Sequence, residues 1–393
     1  ATSAILLWLI LKRLAVPGAW LVAAVFALHP VHVESVVWIS ELKDLLFSCF
    51  FLAGLIFYHR DTTGHPDRHH LRPHVLLLFI LSVLAKPAAV VFPFVLLLLD
   101  FYTGRKLNRR IFYEKIPYFL ISLIIGAVTI YAQKSDDLIV IAHPFWQRLF
   151  FASHSLLTYL AKFFVPLNLS IFYPYPELQN GQLPLLYYLS LPAALLLVFL
   201  TFRSFKKNKV LFFGCAFFLV TIILVLQLIP AGYAIRADRY TYLPYIGLLF
   251  IPAMLVQRHF DKNGLKKGTR GFLAGLVIVL AGASAITSFK RTIVWRNDNS
   301  IANDLIAKFP DDPLALNNKG YILMGQNNFH SATDLLHKAV AKKRDYGRAY
   351  INLANAYLSL ENPEKALQVA DTAIKYCPEN HFVFKLKAFI MVK

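Results

Sequence analysis

Long apolar runs separated by short polar breaks fill the first 290 residues, and the pattern then changes. Runs such as Val210–Ile229, Tyr242–Val256 and Gly271–Phe289 are apolar on every side rather than along one stripe. A helix of that kind is buried or faces lipid, and about 20 residues cross a bilayer core. Backbone amides find no partner in hydrocarbon, so each run is expected as a helix. Ten spans are predicted, over residues 1–11, 14–28, 44–58, 73–85, 88–103, 112–131, 185–202, 210–229, 241–257 and 271–289, within a membrane domain over 1–290. Phe150–Phe164 is expected as a re-entrant or interfacial helix, because a full crossing there would reverse the loops that follow. Pro87 and Pro93 should interrupt the short pair at 73–103.

Residues 291–393 are polar and punctuated by "FPDDP", "GQNNF", "ENPEKA" and "CPEN". Shifting this part by 34 residues aligns Ala315 with Ala349, Leu316 with Tyr350, Leu323 with Tyr357, Ala332 with Ala366 and Ala339 with Ala373. Gly320 and Ala354 supply further small positions, and Pro310 and Pro378 end helices in phase. That is the tetratricopeptide (TPR) pattern, a helical hairpin that buries its face against the next hairpin. Repeats are predicted at 313–346 and 347–380, with a partial third at 381–393. Asn317, Asn318, Asn352 and Asn355 are the candidate protein-binding residues of the repeat groove. The fold class is therefore all-α: a polytopic helical membrane domain followed by a TPR α-solenoid.

Charge orients the chain. The formal net charge is +19, with 57% apolar residues and a mean hydropathy of +0.53. Lys12–Arg13, Arg60–Arg72, Arg105–Arg110, Arg203–Lys209 and Arg258–Arg270 hold 18 basic residues, against 6 in the alternate loops. The positive-inside rule makes the basic loops cytoplasmic, which accounts for the charge without a nucleic-acid partner. The repeats then lie on the periplasmic or lumenal side, with a bacterial inner membrane the expected host. By the same rule residues 1–11 run from outside to inside, so an upstream helix and external loop are expected before Ala1. Three cysteines are too few for a disulfide framework, and no cleavable signal peptide is visible.

The outward loops gather ionisable residues, which are costly near a bilayer and tend to have a task. They are His29, His32, Glu34, Glu41, Lys43 and Asp44, then Lys86, Lys134, Arg236, Asp238 and Arg239. His29-x-x-His32 could chelate a metal, but only two ligands are fixed and Pro30 intervenes. Capping or interfacial roles are favoured, and no metal is expected. Lys86 could snorkel to the headgroups or hold an anion. Arg236 and Arg239 flank Asp238, and a local ion pair would leave one guanidinium fork to suit phosphate. Tyr240, Tyr242 and Tyr245 read best as an interfacial belt. Carboxylates beside cations at a membrane surface suit a lipid-linked phosphate sugar: cations for the phosphate, an acid/base pair at the anomeric carbon. The polyprenyl-phosphate sugar would be a substrate, and no cofactor is expected.

"HPVHVESVVWISELKD", "LAKPAAVVFPFVLLLLD", "FYPYP" and "ADRYTYLP", followed by TPRs, resemble the transmembrane-and-TPR (TMTC) family and its bacterial relatives. The resemblance implies a GT-C-like membrane O-mannosyltransferase, moving mannose from a polyprenyl-phosphate carrier to a protein acceptor. The family pattern reads HPVH-x-E, then Gly-Arg-x-Asp. His29, Pro30, Val31, His32, Glu34 and Asp44 match, whereas Glu41-Leu42-Lys43 departs, with Lys43 near the usual arginine. On this reading Lys86, Arg236 and Arg239 hold the donor phosphate. Glu34, Asp44 and Asp238, with His32 in proton transfer, form the catalytic set, while His29 and Lys43 shape the loop. In GT-C enzymes the main catalytic acid commonly lies in the first external loop, which this topology puts upstream of Ala1. Two rivals stand: a non-catalytic membrane-anchored TPR scaffold recruiting envelope or lumenal proteins, and a lipid-linked sugar carrier. Against the carrier, the chain has no duplicated halves with paired broken helices.

Overall fold

The computed structural model describes residues 1–64, 72–106, 108–135, 143–178, 180–229, 232, 234–263 and 267–392. Parts of the basic loops (65–71, 107 and 264–266) and of the loop at Gln133–Asp137 lie outside the described residues. The chain divides into two compact units: Ala1–Leu169 with Tyr173–Arg291, and Thr292–Lys393 with Ser170–Phe172.

The first unit is built from α1 (Thr2–Arg13), α2 (Ala19–Leu28), α3 (Val33–Val37), α4 (Leu42–Gly64), α5 (Pro73–Ala85) and α6 (Phe92–Thr103). There follow α7 (Arg109–Ser135), α8 (Phe145–Phe164), α9 (Leu185–Ser204), α10 (Lys209–Ile222), α11 (Tyr245–Asn263) and α12 (Lys267–Val294). Within α7, α9 and α12 lie windows long and apolar enough to cross a membrane, and α2 with the segment Pro30–Val37 makes a fourth, bent by 57°. Their side chains have no protein to cover them: Leu123, Leu195, Phe199 and Ile278 are exposed. In water that surface would be untenable, so it faces lipid and the protein is multi-pass. The ten expected spans are not equal. Helices α1, α2, α5, α6 and α10 have 10 to 14 residues, roughly 15–21 Å at 1.5 Å per residue. Prolines stand at the ends of α2, α5 and α6 (Pro30, Pro73, Pro87 and Pro93), whereas α10 passes directly into a 3₁₀ turn at Ile223–Val225.

The breaks follow from sterics. A residue before proline is pushed to extended backbone, and both His29 (φ −67°, ψ 124°) and Lys86 (φ −153°, ψ 124°) obey. Short 3₁₀ segments follow at Pro30–His32 and Pro87–Val91. Helices α1, α2, α4, α5, α6, α10 and α11 close around one core, where Phe51, Phe79 and Phe92 are fully buried. Phe92 stacks on Phe79 at 5.2 Å and meets Phe51 edge-on at 4.9 Å. Helices α10 and α11 touch through glycine: a Cβ on Gly247 would stand 2.4 Å from the Gly214 carbonyl oxygen. Small residues of this kind let membrane helices approach backbone to backbone. The stretch expected as a re-entrant or interfacial helix, Phe150–Phe164, lies in one unbroken 20-residue helix, α8.

The second unit holds α13 (Asp298–Lys308) and the hairpins α14 (Pro313–Gly325)/α15 (Phe329–Lys342) and α16 (Gly347–Ser359)/α17 (Pro363–Tyr376), then α18 (His381–Val392). Ala315, Ala332, Ala339, Ala349, Ala354, Ala366 and Ala373 are fully buried, so the 34-residue repeat marks the packing surface. Asp312, Asn328 and Asn362 cap α14, α15 and α17 through their side-chain oxygens. A Cβ on Gly320 would come within 2.7 Å of Leu336, which is why the hairpin needs glycine there.

Candidate functional site

At one end of the first unit, four helix breaks carry polar groups. The breaks are Pro30–His32, Ile39–Glu41, Lys86 with Pro87–Val91, and the 3₁₀ turn Asp238–Thr241. Backbone freed from helices there brings together carboxylates and cations that lie up to 205 residues apart.

Arg239 is the hub. Its Nη1 donates to Glu34 Oε1 at 2.5 Å, and its backbone N–H donates to Glu34 Oε2 at 3.0 Å. Its Nε lies 3.2 Å from Glu41 Oε1, which also faces Lys43 Nζ at 3.5 Å. The guanidinium lies over Trp38 and Tyr240, 5.4 and 5.1 Å from their ring centroids. Lys86 pairs with Asp44, whose second oxygen accepts from Ser35 Oγ at 3.5 Å. Glu34, Glu41 and Asp44 are buried, whereas the side chains of Lys86 and Arg239 keep 17% and 18% of their exposure. Both cations line a cleft of about 330 Å³ with Asp44, Ser48 and Tyr240. Burial, with Asp44 beside it, holds the Glu41 carboxyl above the usual range. For Arg239 burial works against the charge, but Glu34 and Glu41 outweigh it and hold the guanidinium charged. An apolar cleft of about 420 Å³, lined by Leu52, Leu55, Phe217 and Phe250 among others, lies one to two turns further along α4, α10 and α11.

The other expected residues are placed differently. Asp238 accepts from Lys162 Nζ at 2.8 Å and from Tyr173 Oη at 2.8 and 2.9 Å. Arg236 does not line the cleft: its Nη1 donates to His154 Nδ1 at 3.0 Å, and it stacks on Tyr173 at 4.9 Å. The expected three-cation cradle is thus two cations and a separate third, because residues 235–237 run extended, with Ile235 N–H bonded to the Tyr173 carbonyl. His29 Nε2 donates to the Phe163 carbonyl at 3.1 Å, and His32 Nδ1 donates to the Phe26 carbonyl at 2.8 Å. Both rings pack against Tyr245 and are buried away from the cleft, so His32 is placed to shape the loop. Among the described residues, no three His, Cys, Asp or Glu side chains converge as a metal site. Lys43 is half-exposed and Glu41 takes its charge. Tyr242 and Tyr245 are buried rather than forming an interfacial belt.

In the repeats, Asn352 donates to Asn317 Oδ1 at 2.9 Å, linking α16 to α14. Asn317 is buried by that contact, while Asn318 and Asn355 remain partly exposed.

Sequence reasoning missed Lys162 and His154, which looked like routine members of an apolar stretch. It also passed over a second ionic network further along α4, shared with α6 and α7. Asp100 accepts from Tyr58 Oη at 2.7 Å and Arg105 Nη1 at 2.8 Å, and pairs with fully buried Lys115. Glu114 joins Arg105 at 3.1 Å and Arg72 at 3.4 Å. The signal was Asp100 closing the run "LLLLD".

The tetratricopeptide repeat family profile matches residues 323–388. Two curated proteins of Drosophila melanogaster are similar to this chain. Protein O-mannosyl-transferase Tmtc1 is 25% identical over 159 residues, which is 39% of this chain and 18% of that protein. Protein O-mannosyl-transferase Tmtc2 is 25% identical over 146 residues, 35% of this chain and 15% of that protein. The chain thus aligns with less than a fifth of the length of either relative.

Proposed function

We propose that this is a GT-C-type membrane glycosyltransferase chain that takes a sugar, mannose by analogy with the relatives, from a polyprenyl-phosphate carrier to a protein. The observation that carries the reading is the convergence of Lys86 and Arg239, both part-exposed, on one cleft walled by buried acids. A phosphodiester entering there would meet an ammonium and a guanidinium fork in a low-dielectric setting, where such contacts are strongest. Its polyprenyl tail would follow the apolar cleft along α4, α10 and α11. Asp44 and Glu34 orient the two cations and stay within reach of the sugar. Asp238, tied to Lys162 and Tyr173, holds the 238–241 turn in place. Arg236 supports that turn rather than the phosphate. The repeats, on the outward side of the membrane by the charge rule, would hold the acceptor polypeptide, with Asn318 and Asn355 on its path.

A second reading keeps a specific observation in its favour. Both cations already have carboxylate partners, as a purely structural lock would require, and a TPR array alone suffices for a membrane-anchored scaffold. One experiment separates the two. The protein, purified in detergent, is incubated with radiolabelled polyprenyl-phosphate mannose and an envelope or lumenal protein fraction, beside Lys86→Ala and Arg239→Ala. Label on protein that both variants lose supports the transferase. No donor binding across several sugars sinks it and leaves the scaffold.

A further inference from the structure

Charge balance around Arg239 raises a difficulty for any anionic ligand. Facing one another here are three carboxylates, Glu34 (α3), Glu41 (the 39–41 turn) and Asp44 (α4), and three cations, Lys43 (α4), Lys86 (before Pro87) and Arg239 (the 238–241 turn). The neighbouring acid, Asp238, is held by Lys162, and Tyr240 adds only a neutral phenol. The cluster is neutral as it stands. Adding a phosphate would leave surplus negative charge where solvent screens it poorly, which is costly unless a carboxylate gives way.

The three carboxylates are not equally held. Glu34 engages Arg239 with both oxygens, one on the guanidinium and one on the backbone N–H. Asp44 has Lys86 on one oxygen and Ser35 on the other. Glu41 uses Oε1 alone, for Arg239 at 3.2 Å and Lys43 at 3.5 Å; its Oε2 is buried with no hydrogen-bond partner among the described residues. An orphaned carboxylate oxygen in a residue only 2% exposed is the weak point of the network.

We propose that Glu41 is a positioning residue standing in for the donor phosphate: its carboxylate occupies Arg239 in the empty site and takes up a proton when the phosphodiester binds. This rests on the donor reading above. The proton goes to Oε2, the lone-pair site nothing else uses. The freed Arg239 Nε–H and Lys43 then turn to the phosphate, with Lys86 on its other side. Glu41 thereby makes donor affinity depend on pH, and acidification favours loading because the bound complex holds one proton more. The raised carboxyl of Glu41 is consistent with this direction.

The test measures binding of a short-chain prenyl-phosphate mannose, a phosphodiester whose own charge stays constant over pH 5.5–8.5, to the full chain in detergent. Titration calorimetry in buffers of different ionisation enthalpy counts protons. The unaltered protein should take up close to one proton per donor, with affinity rising as pH falls by up to about tenfold per unit, the slope of one linked proton. Glu41→Gln should bind more tightly than the parent at pH 8 and lose the pH slope, whereas Glu34→Gln should bind more weakly. A gain of affinity cannot come from a misfolded variant. If Glu41→Gln does not fold, Glu41→Ala takes its place, because the parent's proton count by itself does not separate Glu41 from Glu34. Donor binding with no proton uptake, or with a Glu41→Gln variant no tighter than the parent, overturns the role of Glu41 and leaves the donor site standing. No binding by parent or variant overturns both.

Discussion

Two ionic networks lie at the two ends of α4, and they are built for opposite purposes. One surrounds Asp44 at the start of α4; the other surrounds Tyr58, 14 residues on, or about 21 Å along the axis. Around Tyr58, Lys115 and Asp100 are wholly sealed, and Arg105 keeps only 11% of its side-chain exposure. Around Asp44, backbone breaks at His29 and Lys86 keep the helices from closing, two cations stay part-exposed, and a carboxylate oxygen goes unmatched. On the donor-site reading, then, ion pairing is not what distinguishes a site from a lock in this fold. Access and incomplete satisfaction do.

The sharpest way to break that comparison is to unpair each network. Lys115→Ala takes one of two cations from Asp100 in a sealed interior, leaving it Arg105 and Tyr58, and should cost about 3 kcal/mol, read as a fall in the thermal midpoint in detergent. A stability change under 1 kcal/mol would show that the sealed network is not a lock. An uncharged control calibrates it: Ala366→Leu overpacks a fully buried repeat position and should cost about 1–3 kcal/mol, seen as loss of helical signal from the second unit. Lys86→Ala leaves buried Asp44 with Ser35 alone beside a cleft that opens outward, so stability should fall by about 1–2 kcal/mol, less than for Lys115→Ala, while donor binding is lost. Comparable destabilisation by Lys86→Ala and Lys115→Ala would erase the distinction. The smallest effect is on pH. The Glu41 carboxyl is held above its usual range in the fold, so its contribution is most favourable below about pH 4.5. That contribution falls as pH rises through the folded value, because the buried charged form is the disfavoured one. Glu41→Gln should flatten this part of the stability–pH curve, measured by unfolding midpoints between pH 4 and 8.

Much of the architecture was legible because it is local. The 34-residue repeat was readable from its alanines, since a hairpin packs through small residues at fixed phase whatever its neighbours are. The breaks at His29 and Lys86 were readable because the proline ring dictates the preceding backbone. Candidate cations were readable as expensive residues beside apolar runs. The grouping of those cations was not. Arg236 and Arg239 are three residues apart and read as one clamp, yet extended backbone at 235–237 turns one toward His154 and the other toward Glu34. Glu41 looked like one more loop charge until its single-oxygen engagement was visible.

By itself, then, the sequence determined an all-α chain with a lipid-facing part, a repeat part, the points where helices break and the residue types exposed there. Tertiary structure alone decided which charges meet: Glu34 with Arg239, Asp44 with Lys86, Lys162 with Asp238, Asp100 with Lys115. Periodicity reports which face of a helix is buried, but not the neighbour it is buried against. Those pairings depend on how helices distant in sequence register side by side, a choice made by shape and close packing such as Gly214 on Gly247.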